Sequence, residues 1–405
     1  MNTKKWIAYA LYIIGFLVPF VASGMVGMPM WSQPWVPIVN FICWIVAFII
    51  GYSPFSETRK FPPGTTTSLK VVQYIGLSSA NIVLMALLIG YLYYPTVSNS
   101  IFPANLSVLL IITLAVMGVQ ITVKDWKGIF THPKVVLISS ATRWIIMPFV
   151  AFCVGKFIFG TLSGLPEQTS TLLALGMVVL GTTPTGAASN SLTLISRGDL
   201  ALSVSVTTLN TILAPLLQPL MIGWLAGANI NFTPELRMDM IMELLKLVLA
   251  PVFLSTIFGM MFPGFLQKVK PYLMPVAVFT LALIIMSTMS KGTVVLLKQI
   301  NILPWILVAC CIQGFAGLGL GFYAPKFFGF DFKQRIAACF EVGVENAALT
   351  SVVALQFFGP MVALPAILYG KVQNIIAVSV FVPYFIKKDE EMKEKLEQEA
   401  QTPNE

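Results

Sequence analysis

Long apolar runs, each about 20 residues in length, recur along the chain and are separated by short polar segments. Because backbone polar groups in a bilayer must pair internally, runs of this length are typical of membrane-spanning helices. The pattern therefore predicts an all-α polytopic membrane protein. Twelve spans are predicted, at residues 6–27, 35–53, 70–94, 104–122, 135–159, 170–195, 199–226, 238–263, 272–290, 301–325, 335–358 and 361–386.

Polar residues interrupt two of these spans near their centres. The first interruption, Gly181–Asn190, contains Pro184 between two glycines, and the second, Phe340–Thr350, contains Gly343. Proline and glycine favour a break in a helix. Broken spans at corresponding places in two halves of a chain point to the binding site of a transporter.

A broken helix leaves carbonyl groups without partners on one side of the break and N–H groups on the other. The carbonyls can coordinate a cation, and the N–H ends suit an anionic substrate. Sodium prefers oxygen ligands, which side chains beside the breaks can supply. These candidate ligands are Ser189, Asn190, Ser203, Thr207 and Glu341. The alternative is structural, because serine and threonine in membrane helices often only bond their own helix or a neighbouring one.

Composition and charge exclude several other classes. Of the 405 residues, 57% are hydrophobic and only 10% are charged, whereas a soluble domain has about 25% charged residues. The net charge of +8 is therefore attributed to loops and not to nucleic-acid binding. With twelve spans, most of the lysines and arginines lie on the same side as the N-terminus, which places both termini in the cytoplasm. Segment 1–24 is interpreted as a retained helix and not as a signal peptide, and the charged tail from Lys387 is expected to be a frayed helix or disordered.

No pattern in the sequence indicates an enzyme. The single histidine, His132, lies in a basic loop, and neither a nucleophile–base pair nor a Gly-rich phosphate loop is present. The five cysteines lie in apolar segments and match no metal motif. The chain is therefore predicted to have no cofactor and no metal other than sodium.

Four ordered motifs, together with the two interruptions, resemble the bile acid:sodium symporter family over about residues 70–388. They are Thr131–Val136 (THPKVV), Ile145–Pro148 (IIMP), Ser196–Ser203 (SRGDLALS) and Leu213–Pro219 (LAPLLQP). The resemblance implies two inverted five-helix repeats with core and panel domains and crossed broken helices, in a bacterial inner (plasma) membrane. The repeats would occupy 67–232 and 233–388, preceded by an extra transmembrane hairpin at 1–66 and followed by a tail at 389–405.

The resemblance also implies sodium-coupled symport of an organic anion by alternating access, with two sodium sites. The first site maps onto the five oxygen ligands named above. The second departs from the family pattern, because Arg143 and Glu345 stand where the family has glutamines, beside the backbone oxygens of Val342 and Val344. We hypothesise that the Arg143 guanidinium replaces the second sodium and contacts Glu345. The alternative is that Glu345 titrates and couples transport to protons.

The substrate positions implied by the resemblance are Gly186, Ala187, Asn346, Lys371, Gln373 and Asn374. Gln373 replaces a histidine of similar bacterial members, and Lys371 can meet an anionic substrate or pair with a carboxylate. Both a bile-acid-like anion and a smaller carboxylate fit these changes.

Three other functions remain open at this level. They are a proton-coupled or sodium-independent organic anion carrier, an efflux carrier such as an arsenite exporter, and a non-translocating ligand sensor. An arsenite exporter would require a cysteine in the first broken helix, which lacks one. The oligomeric state is not predicted.

Overall fold

A computed structural model describes residues 79–122, 129, 133–227 and 232–401. These residues are almost entirely helical, and they include no strand beyond one isolated β-bridge. The predicted N-terminal hairpin, the first two predicted spans and His132 lie outside the described residues. The helices are α1 (Ser79–Leu92), α2 (Tyr94–Ser98), α3 (Leu106–Gly118), α4 (Pro133–Phe157), α5 (Glu167–Gly181), α6 (Ala188–Ile195), α7 (Leu200–Leu225), α8 (Pro234–Leu244), α9 (Ala250–Met261), α10 (Pro263–Lys298), α11 (Leu303–Tyr323), α12 (Phe332–Gly343), α13 (Ala347–Phe357), α14 (Pro360–Ile376) and α15 (Val382–Gln401).

Six helical segments of the described chain are long and apolar enough to cross a membrane. They confirm the prediction of an all-α polytopic membrane protein. Single π-helical turns join α8 to α9 and α14 to α15, so each of these pairs forms one continuous segment. The six segments are Pro133–Leu162, Leu200–Leu225, Pro234–Met261, Pro263–Lys298, Ile300–Phe328 and Pro360–Glu394. The inverted relation between the two repeats stays a prediction.

The described residues divide into two compact units. The first comprises residues 79–116 and Pro263–Val294. Inside this unit α10 packs closely on the N-terminal helices, because a Cβ atom on Gly90 would lie 2.3 Å from the Met286 carbonyl oxygen. The Thr113 hydroxyl also donates to Thr280 over 2.8 Å.

The second unit, residues 117–262 and 295–401 within the described ranges, contains both interrupted spans. The interruptions separate α5 from α6 and α12 from α13. At 15, 8, 12 and 11 residues, none of these four helices reaches the roughly 20 residues that a span requires. Each half-helix therefore ends inside the unit.

The two breaks pair with each other as a short antiparallel bridge between Thr185 and Glu345. The Gly186 N–H donates to the Val344 carbonyl over 3.1 Å, and the Asn346 N–H donates to the Pro184 carbonyl over 3.1 Å. Backbone groups released by one broken helix are thus satisfied by the other.

Glycine is needed at the breaks because other backbone segments of the same chain approach closely. A Cβ atom on Gly186 would lie 2.9 Å from the Glu345 carbonyl oxygen, and one on Gly343 would lie 2.6 Å from the Leu318 backbone nitrogen. Gly343 was predicted to be the main breaker of the second span, and α12 ends at this residue. Its φ is not positive, so close packing and not backbone conformation requires glycine here.

Two predicted boundaries were wrong. The segment between the predicted spans 238–263 and 272–290 was expected to be a loop, but its residues form the first two turns of α10. The charged tail was expected to be frayed or disordered, yet α15 continues to Gln401. Asp389 in this tail is buried and pairs with Arg197, so the tail has a tertiary contact that its composition does not reveal.

Candidate functional site

Three hydroxyl groups converge on one carboxylate oxygen between the broken helices. Glu341 Oε1 accepts hydrogen bonds from Ser189 Oγ at 2.7 Å, Ser203 Oγ at 2.6 Å and Thr207 Oγ1 at 2.8 Å. Glu341 lies in the last turn of α12, Ser189 in the first turn of α6, and the other two lie on α7. The structure therefore brings together side chains that are up to 152 residues apart in sequence.

Asn190 completes this group, which we call the carboxylate–hydroxyl cluster (Ser189, Asn190, Ser203, Thr207 and Glu341). Asn190 Oδ1 lies 2.8 Å from Ser203 Oγ and 3.4 Å from Thr207 Oγ1. A hydroxyl group carries only one proton, so Ser203 and Thr207 cannot donate to both acceptors at once. The cluster therefore contains more oxygen acceptors than hydroxyl protons, which suits a cation.

The carboxylate of the cluster forms no ion pair within the described part of the chain, and Arg143, which is paired with Glu345, acts on it only through space. Glu341 is fully buried, and its Oε2 atom has no hydrogen-bond partner there. None of the ion pairs formed by described residues includes Glu341. A carboxylate inside a membrane needs a partner, and hard cations prefer oxygen ligands of this kind.

Local sequence explains how the hydroxyl groups reach this position. Asp199 caps α7, because its Oδ1 accepts a hydrogen bond from the Leu202 N–H at 3.0 Å. The cap fixes where the helix begins. Ser203 and Thr207 then share one face of the helix because they are four residues apart. Thr193, which the sequence analysis did not identify, adds a further hydroxyl 3.3 Å from Ser203.

The second charged group consists of Arg143 on α4 and Glu345 in the second break. The guanidinium contacts both carboxylate oxygens, with Nη1 2.9 Å from Oε1 and Nη2 bonded to Oε2. Both side chains have 0% exposure. The contact between these two residues is the one that the sequence predicted, and its two-pronged geometry is the strong form of an arginine–carboxylate pair.

The carbonyl groups of the second break are already bonded within the protein. Their donors are the Thr185 hydroxyl for Glu341 (2.8 Å), Arg143 Nη1 for Val342 (3.3 Å), the Tyr369 hydroxyl for Gly343 (3.1 Å), the Gly186 N–H for Val344 (3.1 Å) and Gln373 Nε2 for Glu345 (2.9 Å). The predicted second ion site would use the oxygens of Val342 and Val344. Here these two oxygens accept bonds from Arg143 and from the first break.

The predicted substrate residues fall into two groups. The N–H of Gly186 was expected to face the substrate, which was wrong because it donates to Val344. Gln373 also bonds the second break, with Oε1 accepting from the Glu345 N–H at 2.7 Å and Nε2 donating to the Glu345 carbonyl. Asn346 Oδ1 caps α13 through the Leu349 N–H at 3.1 Å.

The other predicted substrate residues are more accessible. Ala187, at the start of α6, is exposed. Lys371 and Asn374 are half-buried on α14, where Asn374 Nδ2 donates to the Gly370 carbonyl over 2.9 Å. The amide of Asn374 therefore bonds its own helix. Part of the Asn374 side chain and part of the Lys371 side chain remain exposed.

Sequence reasoning missed two side chains that support the breaks. Gln218 Nε2 donates to Thr183 Oγ1 at 3.0 Å in the first break, and Tyr369 donates to Gly343 in the second. Gln218 lies within the quoted motif LAPLLQP, and Tyr369 lies four residues before Gln373 on one face of α14. For Gln218, the available signal was a polar side chain between two prolines in an apolar part of its helix.

Comparison with known proteins gives the class to which this architecture belongs. A model of the sodium bile acid symporter family matches residues 107–299. The chain is 30% identical over 274 residues to the uncharacterized sodium-dependent transporter YocS of Bacillus subtilis, covering 67% of this chain and 80% of that protein. It is 29% identical over 286 residues to the probable sodium/metabolite cotransporter BASS1, chloroplastic, of Arabidopsis thaliana, covering 70% and 67% respectively.

The chain also resembles the human ileal sodium/bile acid cotransporter, with 27% identity over 271 residues, 65% of this chain and 73% of that protein. The chain belongs to the sodium bile acid symporter family. It is accordingly a membrane transporter and not an enzyme.

Proposed function

We propose that this protein imports an organic anion together with sodium by alternating access across a bacterial plasma membrane, with both termini in the cytoplasm. The observation that carries the proposal is the carboxylate–hydroxyl cluster. Its buried carboxylate forms no ion pair with a described residue and is surrounded by oxygen atoms. A bound sodium ion would balance the charge of Glu341 and use the surplus of acceptors.

The same proposal assigns one sodium ion to each transport cycle. The Arg143 guanidinium occupies the side of the second break where a second cation would require ligands, and Glu345 neutralises it. Arginine keeps its positive charge in proteins, so a second cation there would be repelled. The bonded carbonyl groups of the second break support the same conclusion, because they offer few open ligands.

The ion pair also bears on the alternative of proton coupling through Glu345. A carboxylate held by both guanidinium nitrogens is stabilised in its charged form. Releasing it to accept a proton would leave Arg143 buried without its partner, at a cost of about 3–5 kcal/mol. The geometry therefore favours a fixed ion pair over a titrating carrier.

The substrate that we propose is a carboxylate, either bile-acid-like or smaller. Three features support an anion: the start of α6 near the exposed Ala187, the half-buried Lys371, and the family relatives that are named as bile acid or metabolite cotransporters. A helix N-terminus and a lysine both attract negative charge. We expect Lys371 to contribute more to recognition than Gln373, because Lys371 carries a positive charge whereas Gln373 is neutral and its amide bonds the second break.

Uptake into proteoliposomes tests the function. Radiolabelled carboxylates, from a sterol acid to a short hydroxy acid, are offered under an inward sodium gradient and, in parallel, under a potassium gradient of equal size. We expect accumulation of at least one carboxylate that depends on the sodium gradient. Uptake that ignores sodium would contradict the coupling, and binding without flux would identify a sensor.

Variants sharpen this test. Glu341→Gln keeps the shape of the side chain but removes its charge, and we expect sodium-dependent accumulation to disappear. Glu243→Gln is the matched control, because Glu243 is also a membrane-helix carboxylate but accepts a bond from Gln356 at an exposed position. Equal loss in both variants would argue against a specific role for the cluster.

A further inference from the structure

The C-terminal helix contacts the loop between α6 and α7, which is far from it in sequence. Arg197 in this loop donates from Nη1 to Asp389 Oδ2 at 3.0 Å and from Nη2 to Glu390 Oε1 at 3.1 Å. Lys393 also donates to Asp389 Oδ2, at 2.7 Å. The Asp389 side chain is only 6% exposed, whereas that of Arg197 is 43% exposed, so the carboxylate is the buried partner of this contact.

Arg197 adopts a backbone conformation that favours glycine. Its φ is +61°, and it is the one non-glycine residue of the described chain with a positive φ. The turn is held by the Gly198 N–H, which donates to the Thr193 carbonyl at 2.8 Å. An arginine placed in the left-handed region indicates that its side chain contributes something that glycine would lack.

The loop joins the two helices that carry most of the carboxylate–hydroxyl cluster. Ser189 and Asn190 precede it on α6, and Ser203 and Thr207 follow it on α7. The loop is also attached to α12, the helix of Glu341, because the Asp199 N–H donates to the Lys333 carbonyl at 3.0 Å. A shift of this loop would therefore move ligands from both helices relative to Glu341.

The C-terminal helix reaches the other side of the cluster as well. Phe385, one turn before Asp389, is fully buried and packs edge to face on Phe340, with ring centroids 5.9 Å apart. Phe340 directly precedes Glu341. Phe385 also packs on Phe322, with ring centroids 4.8 Å apart. One helix thus contacts the neighbour of Glu341 through Phe385 and the loop between α6 and α7 through Asp389.

We propose that Arg197 and Asp389 are positioning residues for the sodium site. Together with Phe385 they connect the helix of Glu341 to the loop between α6 and α7. These two helices carry the serine, asparagine and threonine ligands. This role rests on the proposed function, since it presupposes that the cluster binds sodium. Loss of the pair removes no sodium ligand but lets the two halves of the cluster separate, which weakens sodium binding.

Sodium binding to the purified full-length protein tests the role without any organic substrate. Thermal unfolding is followed while sodium chloride replaces potassium chloride at constant total salt, and the sodium-specific shift yields an apparent Kd. For Asp389→Asn we expect the apparent Kd for sodium to rise about three- to tenfold, because the binding-competent arrangement becomes less populated. The melting temperature in potassium alone should change little.

Two further variants separate positioning from general damage. Glu391→Gln is the matched control, because Glu391 lies on the same helix and pairs with Lys388 at 3.1 Å; its apparent Kd should stay within about twofold of the wild-type value. Arg197→Asn removes the other half of the pair and tolerates the left-handed conformation, so it should raise the apparent Kd to a similar extent as Asp389→Asn. If Asp389→Asn does not fold, Arg197→Lys provides the measurement, with a smaller expected rise.

The outcomes distinguish this role from the proposed function. A sodium-responsive wild type combined with an unchanged apparent Kd in Asp389→Asn, or in Arg197→Lys where that variant is used, would overturn the positioning role alone. A wild type whose unfolding does not distinguish sodium from potassium would contradict sodium binding itself, and the positioning role with it. An unchanged apparent Kd in Arg197→Asn would also count against the role.

Discussion

The two helix breaks face each other across one antiparallel bridge, but the buried carboxylates beside them differ in whether they form an ion pair. The first break, with α6 and α7, surrounds Glu341 with hydroxyl groups and no described cation. The second break contains its own cation, because Arg143 bonds Glu345. Under the proposed function, the first cluster takes its cation from solution, whereas the second break has the Arg143 side chain as its cation.

The breaks also differ in how their backbone groups are supported. Both are bonded by a buried glutamine, Gln218 at the first break and Gln373 at the second. Gln218 bonds a threonine side chain, whereas Gln373 bonds the N–H and the carbonyl of Glu345 directly. The second break is therefore fixed through its main chain, which agrees with the proposal that Arg143 takes the place of an exchangeable ion there.

The largest effect is expected from removing the internal cation. Arg143→Ala leaves Glu345 buried without its charged partner, which should lower the free energy of unfolding by about 3–5 kcal/mol. The double variant Arg143→Gln with Glu345→Gln removes both charges and should recover most of the loss. Denaturant titration in detergent micelles measures both, and an Arg143→Ala variant as stable as the double variant would refute the importance of the pair.

Removing the charge of the carboxylate–hydroxyl cluster tests whether Glu341 binds sodium. Glu341→Gln should weaken sodium binding by about 100-fold, which corresponds to about 3 kcal/mol of lost attraction. Because the wild-type carboxylate forms no ion pair with a described residue, stability without sodium should fall less than in Arg143→Ala, or rise. A sodium titration of thermal unfolding gives both quantities, and retention of wild-type sodium affinity would exclude Glu341 as a ligand.

The supporting glutamines provide a smaller and more local comparison. Gln373→Ala leaves the buried Glu345 N–H without its acceptor and should cost about 2–3 kcal/mol. Gln218→Ala should cost about 1 kcal/mol, because Thr183 keeps its bonds to Val179 and Thr350. Denaturant titration of both variants tests the order. A larger loss for Gln218→Ala would show that the first break depends more on its glutamine.

The smallest effect is expected at the edge of the cluster. Thr193→Val removes a hydroxyl that lies 3.3 Å from Ser203, and it should weaken sodium binding by about threefold. Thr208→Val is the control, since the Thr208 hydroxyl bonds the Val204 carbonyl of its own helix at 2.8 Å. Equal changes in the two variants would mean that Thr193 acts only through helix packing.

Much of this arrangement was predictable from sequence because polar residues in an apolar span are rare. Glu341, Ser189 and Ser203 stand out for that reason, and all three meet in the structure. The contact between Arg143 and Glu345 was predicted from the resemblance, which implies a neutral glutamine at each of these positions. Opposite charges inside a membrane segment must be neutralised, and pairing with each other is the simplest solution.

Other features depend on tertiary geometry that periodicity does not encode. The N–H of Gly186 was expected to face the substrate, and only the pairing of the two breaks shows that Val344 accepts its hydrogen bond. The tail around Asp389 has the composition of a solvated segment, yet its position against Arg197 buries it. Local sequence predicts a helix break and the polar residues in it. It does not predict which distant group will form hydrogen bonds with the backbone groups of the break.

The number of sodium ions bound per chain tests the central claim most directly. Equilibrium binding of radiolabelled sodium to the purified protein, in a potassium background, should show one saturable site per chain. That site should disappear in Glu341→Gln and persist in the double variant Arg143→Gln with Glu345→Gln. Two saturable sites in the wild-type protein would contradict the claim that the Arg143 guanidinium has taken the place of the second sodium ion.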